Sequence, residues 1–147
     1  MKTFLLVEDD LNDAYLVQLE FGKTPELRLR HVRDGEEAIR YLLGQPQYDD
    51  RASFPMADVV LLDLKMPKLD GFEVLQWLHS AAAPEHLRLI PVIVMSGSNL
   101  PEDVQRAYAL GANCYFTKPV DWGAYRERMR LLGIHWANAE TPKVNPS

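Results

Sequence analysis

The chain contains five short strand-like segments, and a helical pattern of apolar residues follows each of them. The first, third and fourth segments are apolar throughout, whereas a strand with one solvated face would alternate apolar and polar residues. Continuous apolar character is typical of parallel strands covered on both faces. The sequence therefore predicts an α/β fold, a doubly wound five-stranded parallel sheet with helices on both faces. The predicted strands are Phe4–Val7, Arg28–Arg33, Val59–Leu62, Val92–Met95 and Cys114–Phe116.

The predicted helices carry apolar repeats at helical spacing. The repeat in the last helix is interpreted as core, and the chain after Gly133 as a C-terminal tail, partly disordered, with prolines and few residues to bury. We therefore expect one domain over residues 1–133 and a tail over 134–147. Two of the repeats are Leu11, Tyr15 and Leu19 in the first helix, and Trp122, Tyr125, Met129 and Leu132 in the last.

The amino-acid composition disfavours some classes of binding partner. The 21 acidic residues outnumber the 16 Lys and Arg, giving a net charge of -5, which disfavours nucleic acids and anionic membranes as ligands. No apolar run approaches the roughly 20 residues needed to span a bilayer. A single cysteine fits a reducing compartment, so we expect a cytoplasmic protein that acts through proteins or small ligands.

Polar side chains follow four of the predicted strands. Glu8, Asp9 and Asp10 end the first, Asp63 ends the third, and Ser96 and Lys118 follow the fourth and fifth. In open parallel sheets ligands bind at the carboxyl ends of the strands, so these groups are expected to meet there.

The chemistry of these groups suits phosphoryl transfer. Mg²⁺ relieves the repulsion between close carboxylates and favours a few carboxylates with waters and phosphate oxygens. Lysine supplies a compact positive charge, a hydroxyl donates to phosphoryl oxygens, and a carboxylate can accept the phosphoryl group as an acyl phosphate. The sequence therefore predicts a phosphoryl-transfer site.

Four motifs in order resemble the response-regulator receiver domain of two-component signalling, from about Thr3 to Leu132. The resemblance implies the flavodoxin-like strand order 2-1-3-4-5. It also implies that a sensor histidine kinase phosphorylates the chain, which then switches a surface for a downstream protein target. The motifs are Leu6–Asp10, Leu62–Pro67 with Asp70–Gly71, Val94–Ser96 and Tyr115–Pro119.

The resemblance also implies roles for individual residues. Asp63 is the implied phosphoacceptor, and Lys118 would pair with the phosphoryl group. Mg²⁺ would be bound by Asp9 and Asp63 directly, by Glu8 through water, and by the backbone carbonyl of Lys65. Ser96 matches the switch hydroxyl and Tyr115 the switch aromatic, and the Lys118–Pro119 peptide bond is expected to be cis.

A finer resemblance connects the chain to the single-domain regulators associated with phytochrome-type histidine kinases. It rests on the long loop after the second helix, on the residues after Asp63 and on Asn113–Tyr115. Members of that group often form homodimers through helix four, strand five and helix five. Two positions bear on the lifetime of a phosphorylated state: Lys65 places a cation two residues after the acceptor, and Gly97 leaves water access.

Several alternatives stay open at this point. The run Glu8–Asp10 could cap a helix, Ser96 could bond only local backbone, and Tyr115 could be core. A phosphate-sink or scaffold receiver would use the same residues. An aspartate-nucleophile phosphohydrolase usually carries a second acid where this chain has Lys65. A flavin carrier needs a phosphate loop where this chain has Glu8–Leu11, which would repel phosphate.

Overall fold

The computed structural model describes residues 1–66 and 68–138 and shows the predicted alternation of strands and helices. All neighbouring strands are parallel, in the order β2-β1-β3-β4-β5, which confirms the predicted sheet. Short 3-10 helices cover Pro46–Tyr48 and Glu85–Leu89. The strands are β1 (Lys2–Val7), β2 (Leu27–Val32), β3 (Val59–Asp63), β4 (Val92–Ser96) and β5 (Cys114–Thr117). The helices are α1 (Leu11–Phe21), α2 (Gly35–Leu43), α3 (Gly71–Leu78), α4 (Pro101–Ala109) and α5 (Trp122–Asn138).

The central strands are buried on both faces. Leu5 and Val7 of β1 pack with α2, α3 and α4, whereas Phe4 and Leu6 of the same strand pack with α1 and α5. Residues of β3 and β4 divide between the two cores in the same alternating way. Because each face needs apolar side chains, the strands lose the alternation typical of half-solvated sheets.

Acidic residues cap the first turn of three helices, each of which follows a strand in the chain. Asp10 caps α1 by accepting hydrogen bonds from the backbone N–H groups of Asn12 and Asp13. Asp34 caps α2, and Asp70 forms a capping box with Glu73 at α3. Capping therefore accounts for Asp10 but leaves Glu8 and Asp9 for the site.

The apolar repeat of α1 lies on the exposed face of the helix. Tyr15 is 66% exposed, and Leu11 and Leu19 are also exposed, while Ala14 and Val17 face the sheet. Two apolar stripes run along this helix, and periodicity alone cannot decide which is buried. The buried stripe, which also includes Leu16 and Phe21, packs against the sheet and α5.

The last helix continues past the predicted domain boundary. Gly133 lies inside α5, where an added Cβ would sit 3.1 Å from Leu27 Cδ1, so this glycine permits close packing and does not end the helix. Residues 134–138 of the predicted tail are helical, and 139–147 lie outside the described residues. Tyr125 and Met129 are buried as predicted, and Leu132 packs against the core, but Trp122 is half exposed.

Candidate phosphoryl-transfer site

Residues from three strand ends meet at one ammonium group. Lys118, just after β5, directs its Nζ to Glu8 Oε1 at 2.5 Å and to Asp63 Oδ2 at 3.5 Å. The fully buried Glu8 follows β1, and the buried Asp63 is the last residue of β3. The sheet order places β1 beside β3, so the predicted carboxylates do come together at the carboxyl ends of the strands.

Three of the predicted acidic residues form a compact oxygen cluster. Carboxylate oxygens of Glu8, Asp9 and Asp63 all lie within 4.8 Å of one another. Asp9 also lines a cavity of about 480 Å³ that reaches Lys65 and Asp70, which gives the cluster an opening. Oxygen ligands at this spacing and partial access to water fit the preferences of Mg²⁺.

Burial and neighbouring charge perturb this cluster strongly. Burial, together with the hydrogen bond and charge of Asp63, raises the pKa of Glu8 to about 8, against the opposing effect of Lys118. For Lys118, burial lowers the pKa, but the charges of Asp63 and Glu8 outweigh it and hold the pKa above its usual value. The ammonium therefore stays charged, and a divalent cation would stabilise the ionised form of Glu8.

The raised pKa of Glu8 predicts a pH dependence of stability. Between the ordinary pKa of 4.5 and about 8, the folded chain keeps a proton that the unfolded chain loses, so the free energy of unfolding should fall as pH rises. Urea titrations of the wild type and of Glu8→Gln without Mg²⁺ would measure this. The stability of the wild type relative to the variant should decline from pH 5 to 8 and then level off. Parallel pH curves for the two proteins would contradict the assignment.

Asp13 belongs to the site although its role was not predicted. Its Oδ2 lies 2.8 Å from Lys118 Nζ, so the ammonium contacts carboxylates of three residues. Asp13 lies in the first turn of α1, one turn beyond the acidic run. An acid at this spacing could have indicated the contact, because the helix begins where β1 ends.

The predicted switch residues are joined through the loop after β4. Ser96 is fully buried, and its Oγ accepts a hydrogen bond from the N–H of Ser98 at 3.1 Å. The Tyr115 hydroxyl donates to the carbonyl oxygen of Ser98 at 2.7 Å. Ser96 thus forms a hydrogen bond with local backbone, which is the alternative interpretation given for this residue. Ser98 forms hydrogen bonds with both Ser96 and Tyr115 and so connects the two.

The turn after β3 wraps closely around Asp63. The N–H of Lys65 lies 3.4 Å from Asp63 Oδ1, and the Lys65 side chain is exposed. A Cβ added to Gly71 would lie 2.4 Å from the Asp63 carbonyl oxygen, so only glycine permits α3 to start this close. Beside β4, a Cβ added at Gly97 would meet nothing within 4 Å, so that position is open.

One expectation at this edge is wrong. The described residues contain no cis peptide bond, so the Lys118–Pro119 bond is trans. The trans form is intrinsically favoured by about 0.5–1 kcal/mol at X–Pro bonds, and the N–H of Lys118 still extends the sheet by donating to Ser96 O at 2.7 Å.

Within the described ranges, no helix combines the length and apolar character needed to cross a membrane.

Comparisons with known proteins agree with this architecture. The family model of the response regulator receiver domain matches residues 4–130. Response regulator Rcp1 of Synechocystis is 41% identical over 119 residues, which cover 80% of this chain and 76% of that protein.

Solved structures give the same result. The Mn²⁺-bound form of response regulator Rcp1 superposes with a TM-score of 0.87 at 32% identity, covering 97% of this chain and 100% of that one. The phosphorylated cyanobacterial phytochrome response regulator RcpA also gives a TM-score of 0.87, at 34% identity, covering 97% of this chain and 99% of that one. The family match, the relative and the shared fold together show that this chain belongs to the response regulator receiver domain family of two-component signalling.

Proposed function

We propose that the protein accepts a phosphoryl group from the phosphohistidine of a sensor kinase onto Asp63. A carboxylate oxygen of Asp63 forms a bond to phosphorus while the P–N bond to imidazole breaks. The imidazole nitrogen leaves with the electron pair and takes a proton from solvent. The protein returns to its first state when water hydrolyses the acyl phosphate to inorganic phosphate.

The observation that carries this proposal is the convergence of three carboxylates and one ammonium at the strand ends. Bound Mg²⁺ would neutralise charge on the phosphoryl oxygens, and the proposed ligands are Asp9, Asp63 and the Lys65 carbonyl. Glu8 is proposed to act through water. In support, its Oε1 already accepts from Lys118 and its Oε2 from the Asp10 N–H at 3.3 Å. Lys118 would pair with the phosphoryl group.

The proposed output is a change around β4 and β5. A phosphoryl group adds charge and acceptor oxygens, to which the Ser96 hydroxyl would donate. That movement would release the Ser98 N–H from Ser96 Oγ, and Ser98 also holds the Tyr115 hydroxyl. The Tyr115 ring would then turn inward and reshape the surface of α4, β5 and α5, as a shift between two populated states.

The proposed partners are proteins. The similarity to a phytochrome response regulator supports a phytochrome-type histidine kinase as the phosphoryl donor, acting in the cytoplasm. A downstream protein would recognise the switched surface. The net charge of -5 disfavours a direct nucleic-acid ligand.

A homodimer through α4, β5 and α5 is a further proposal. Large apolar side chains are exposed at Leu100, which directly precedes α4, at Tyr108 of α4, and at Leu131 and Ile134 of α5. Beryllofluoride, which mimics the phosphoryl group, should increase the sedimentation coefficient, and Leu131→Asp should prevent that increase. Leu43→Asp, an exposed apolar position on α2, is the matched control and should leave it unchanged. A monomer with and without beryllofluoride would contradict the dimer.

Phosphorylation itself can be tested directly. The protein is incubated with Mg²⁺ and a small phosphodonor such as phosphoramidate, and the intact mass is measured. We expect the addition of one phosphoryl group, located by fragmentation on the peptide that contains Asp63. Addition at another residue, or no addition at all, would refute the proposed function.

A further inference from the structure

The bond between Asp13 and Lys118 is not required for the proposed transfer to Asp63. The Lys118 ammonium has three hydrogens, and carboxylates of three residues already surround it. The distances from Nζ are 2.5 Å to Glu8, 2.8 Å to Asp13 and 3.5 Å to Asp63. A phosphoryl group on Asp63 would add oxygen acceptors, and the ammonium could serve them only by giving up a present partner.

The burial of the partners indicates which contact is given up. The Glu8 side chain is 0% exposed, so removing its hydrogen bond from the ammonium would leave a buried carboxyl oxygen without that donor, which is costly. The Asp13 side chain is 19% exposed and can be solvated when the ammonium leaves. Asp63 would carry the phosphoryl group, so Lys118 stays close to this residue in either state. Asp13 is therefore the partner that Lys118 loses at the smallest cost.

A buried hydroxyl without a partner lies beside the same pair. The Tyr125 Oη is buried, and no described residue forms a hydrogen bond with it. Buried hydroxyls usually have a partner, so one that lacks it calls for an explanation. Tyr125 shares with Asp13 and Lys118 a cleft of about 190 Å³, which Trp122 also lines.

These observations combine into one exchange of partners. We propose that Asp13 is a positioning residue that holds the Lys118 ammonium while Asp63 is free and releases it when Asp63 is phosphorylated. The Tyr125 hydroxyl then donates its hydrogen bond to the released Asp13 carboxylate. The exchange carries the phosphorylation signal to the contact between α1 and α5, whereas Tyr115 acts through β5 and the loop after β4. The inference rests on the proposed function of Asp63.

The first test measures the affinity for beryllofluoride by calorimetry in saturating Mg²⁺. Asp13→Asn replaces the ion pair of the resting state with a weaker hydrogen bond from the ammonium to an uncharged amide, so the variant should bind beryllofluoride about fivefold more tightly. Asp10→Asn is the matched control, because it removes one charge at the start of the same helix and keeps a good capping residue. Asp10 is not among the carboxylates that pair with Lys118, which are Glu8, Asp13 and Asp63. The control should bind within about twofold of the wild type, as expected for a solvated charge.

The second test examines Tyr125. Tyr125→Phe removes a hydroxyl that has no described partner at rest, so the melting temperature without beryllofluoride should not fall. The variant should bind beryllofluoride about fivefold more weakly, since it lacks the new hydrogen bond. In an Asp13→Ala background, adding Tyr125→Phe should change the affinity little, because the acceptor is already absent. The Tyr125 Cζ resonance should shift on binding in the wild type and not in Asp13→Ala.

The outcomes separate the two proposals. A wild-type protein that does not bind beryllofluoride would refute the proposed function. If the wild type binds it but Asp13→Asn behaves like Asp10→Asn, the positioning role is wrong. An equal loss of affinity from Tyr125→Phe with and without Asp13 would also overturn the exchange of partners.

Discussion

Asp63→Asn should reduce labelling by phosphohistidine or by small phosphodonors to background. The amide oxygen is a poor nucleophile, and an amide cannot form the acyl phosphate that the carboxylate forms. The variant should fold, because Asn has nearly the same shape and removes one negative charge from a cluster whose oxygens lie within 4.8 Å of one another. Radiolabelled phosphodonor and a urea titration of the same sample would measure both effects.

Asp58→Asn is the matched control for this experiment. Asp58 directly precedes β3, whereas Asp63 ends it, and Asp58 Oδ2 accepts a hydrogen bond from the Thr3 N–H at 2.8 Å. An asparagine can preserve that bond while removing the charge. The control should be labelled at the rate of the wild type. Equal labelling of Asp63→Asn would show that another residue accepts the phosphoryl group.

Lys118→Ala should have two separable effects. Removing the ammonium leaves the buried Asp63 without a neutralising cation and the buried Glu8 without its hydrogen-bond donor, which should lower the free energy of unfolding by about 3–5 kcal/mol without Mg²⁺. Saturating Mg²⁺ should restore part of that loss. Phosphorylation of Asp63 should remain possible, but the surface of α4, β5 and α5 should no longer respond. Urea titrations and NMR of β5 with beryllofluoride would measure the two effects.

Lys23→Ala provides the comparison for stability. Lys23 also pairs with a buried carboxylate, Glu20, but its side chain is 51% exposed and Arg126 contacts the same carboxylate. Its loss should cost less than about 1 kcal/mol and should not depend on Mg²⁺. A Lys118→Ala variant as stable as the wild type, or one with an intact response of β5, would contradict the role given to this lysine.

Much of this fold follows from local sequence patterns. Apolar runs such as Val59–Leu62 predict parallel strands buried on both faces, and the two cores of the structure explain why alternation is lost. The positions of Glu8, Asp63 and Lys118 at strand ends follow from the same pattern, because parallel strands end at one edge. Family resemblance then supplied roles that the residue types alone leave open.

Other features depend on tertiary packing that the sequence does not display. Periodicity showed an apolar stripe through Tyr15 but not that a second stripe faces the sheet. The contact of Asp13 with Lys118 joins residues 105 positions apart in the chain, so the spacing of Asp13 from the acidic run suggests its position but does not identify its partner. A glycine such as Gly133 is typical of a helix end. Its contacts with Leu27 and Phe21 show instead that it allows α5 to pack closely against these side chains. Predicting such contacts requires knowledge of how the helices and strands are positioned relative to one another.

The two edges of the sheet limit how copies of this chain can associate. β2 carries the charged residues Arg28 and Arg30, and Arg30 Nε donates to the Ser53 carbonyl, so the loop before β3 crosses this edge. β5 offers only four residues at the opposite edge. Charged and short edge strands oppose strand addition and the fibrous aggregation to which it leads. High local concentrations, as in a signalling cluster, should therefore favour reversible contacts between helices over continuous β-structure.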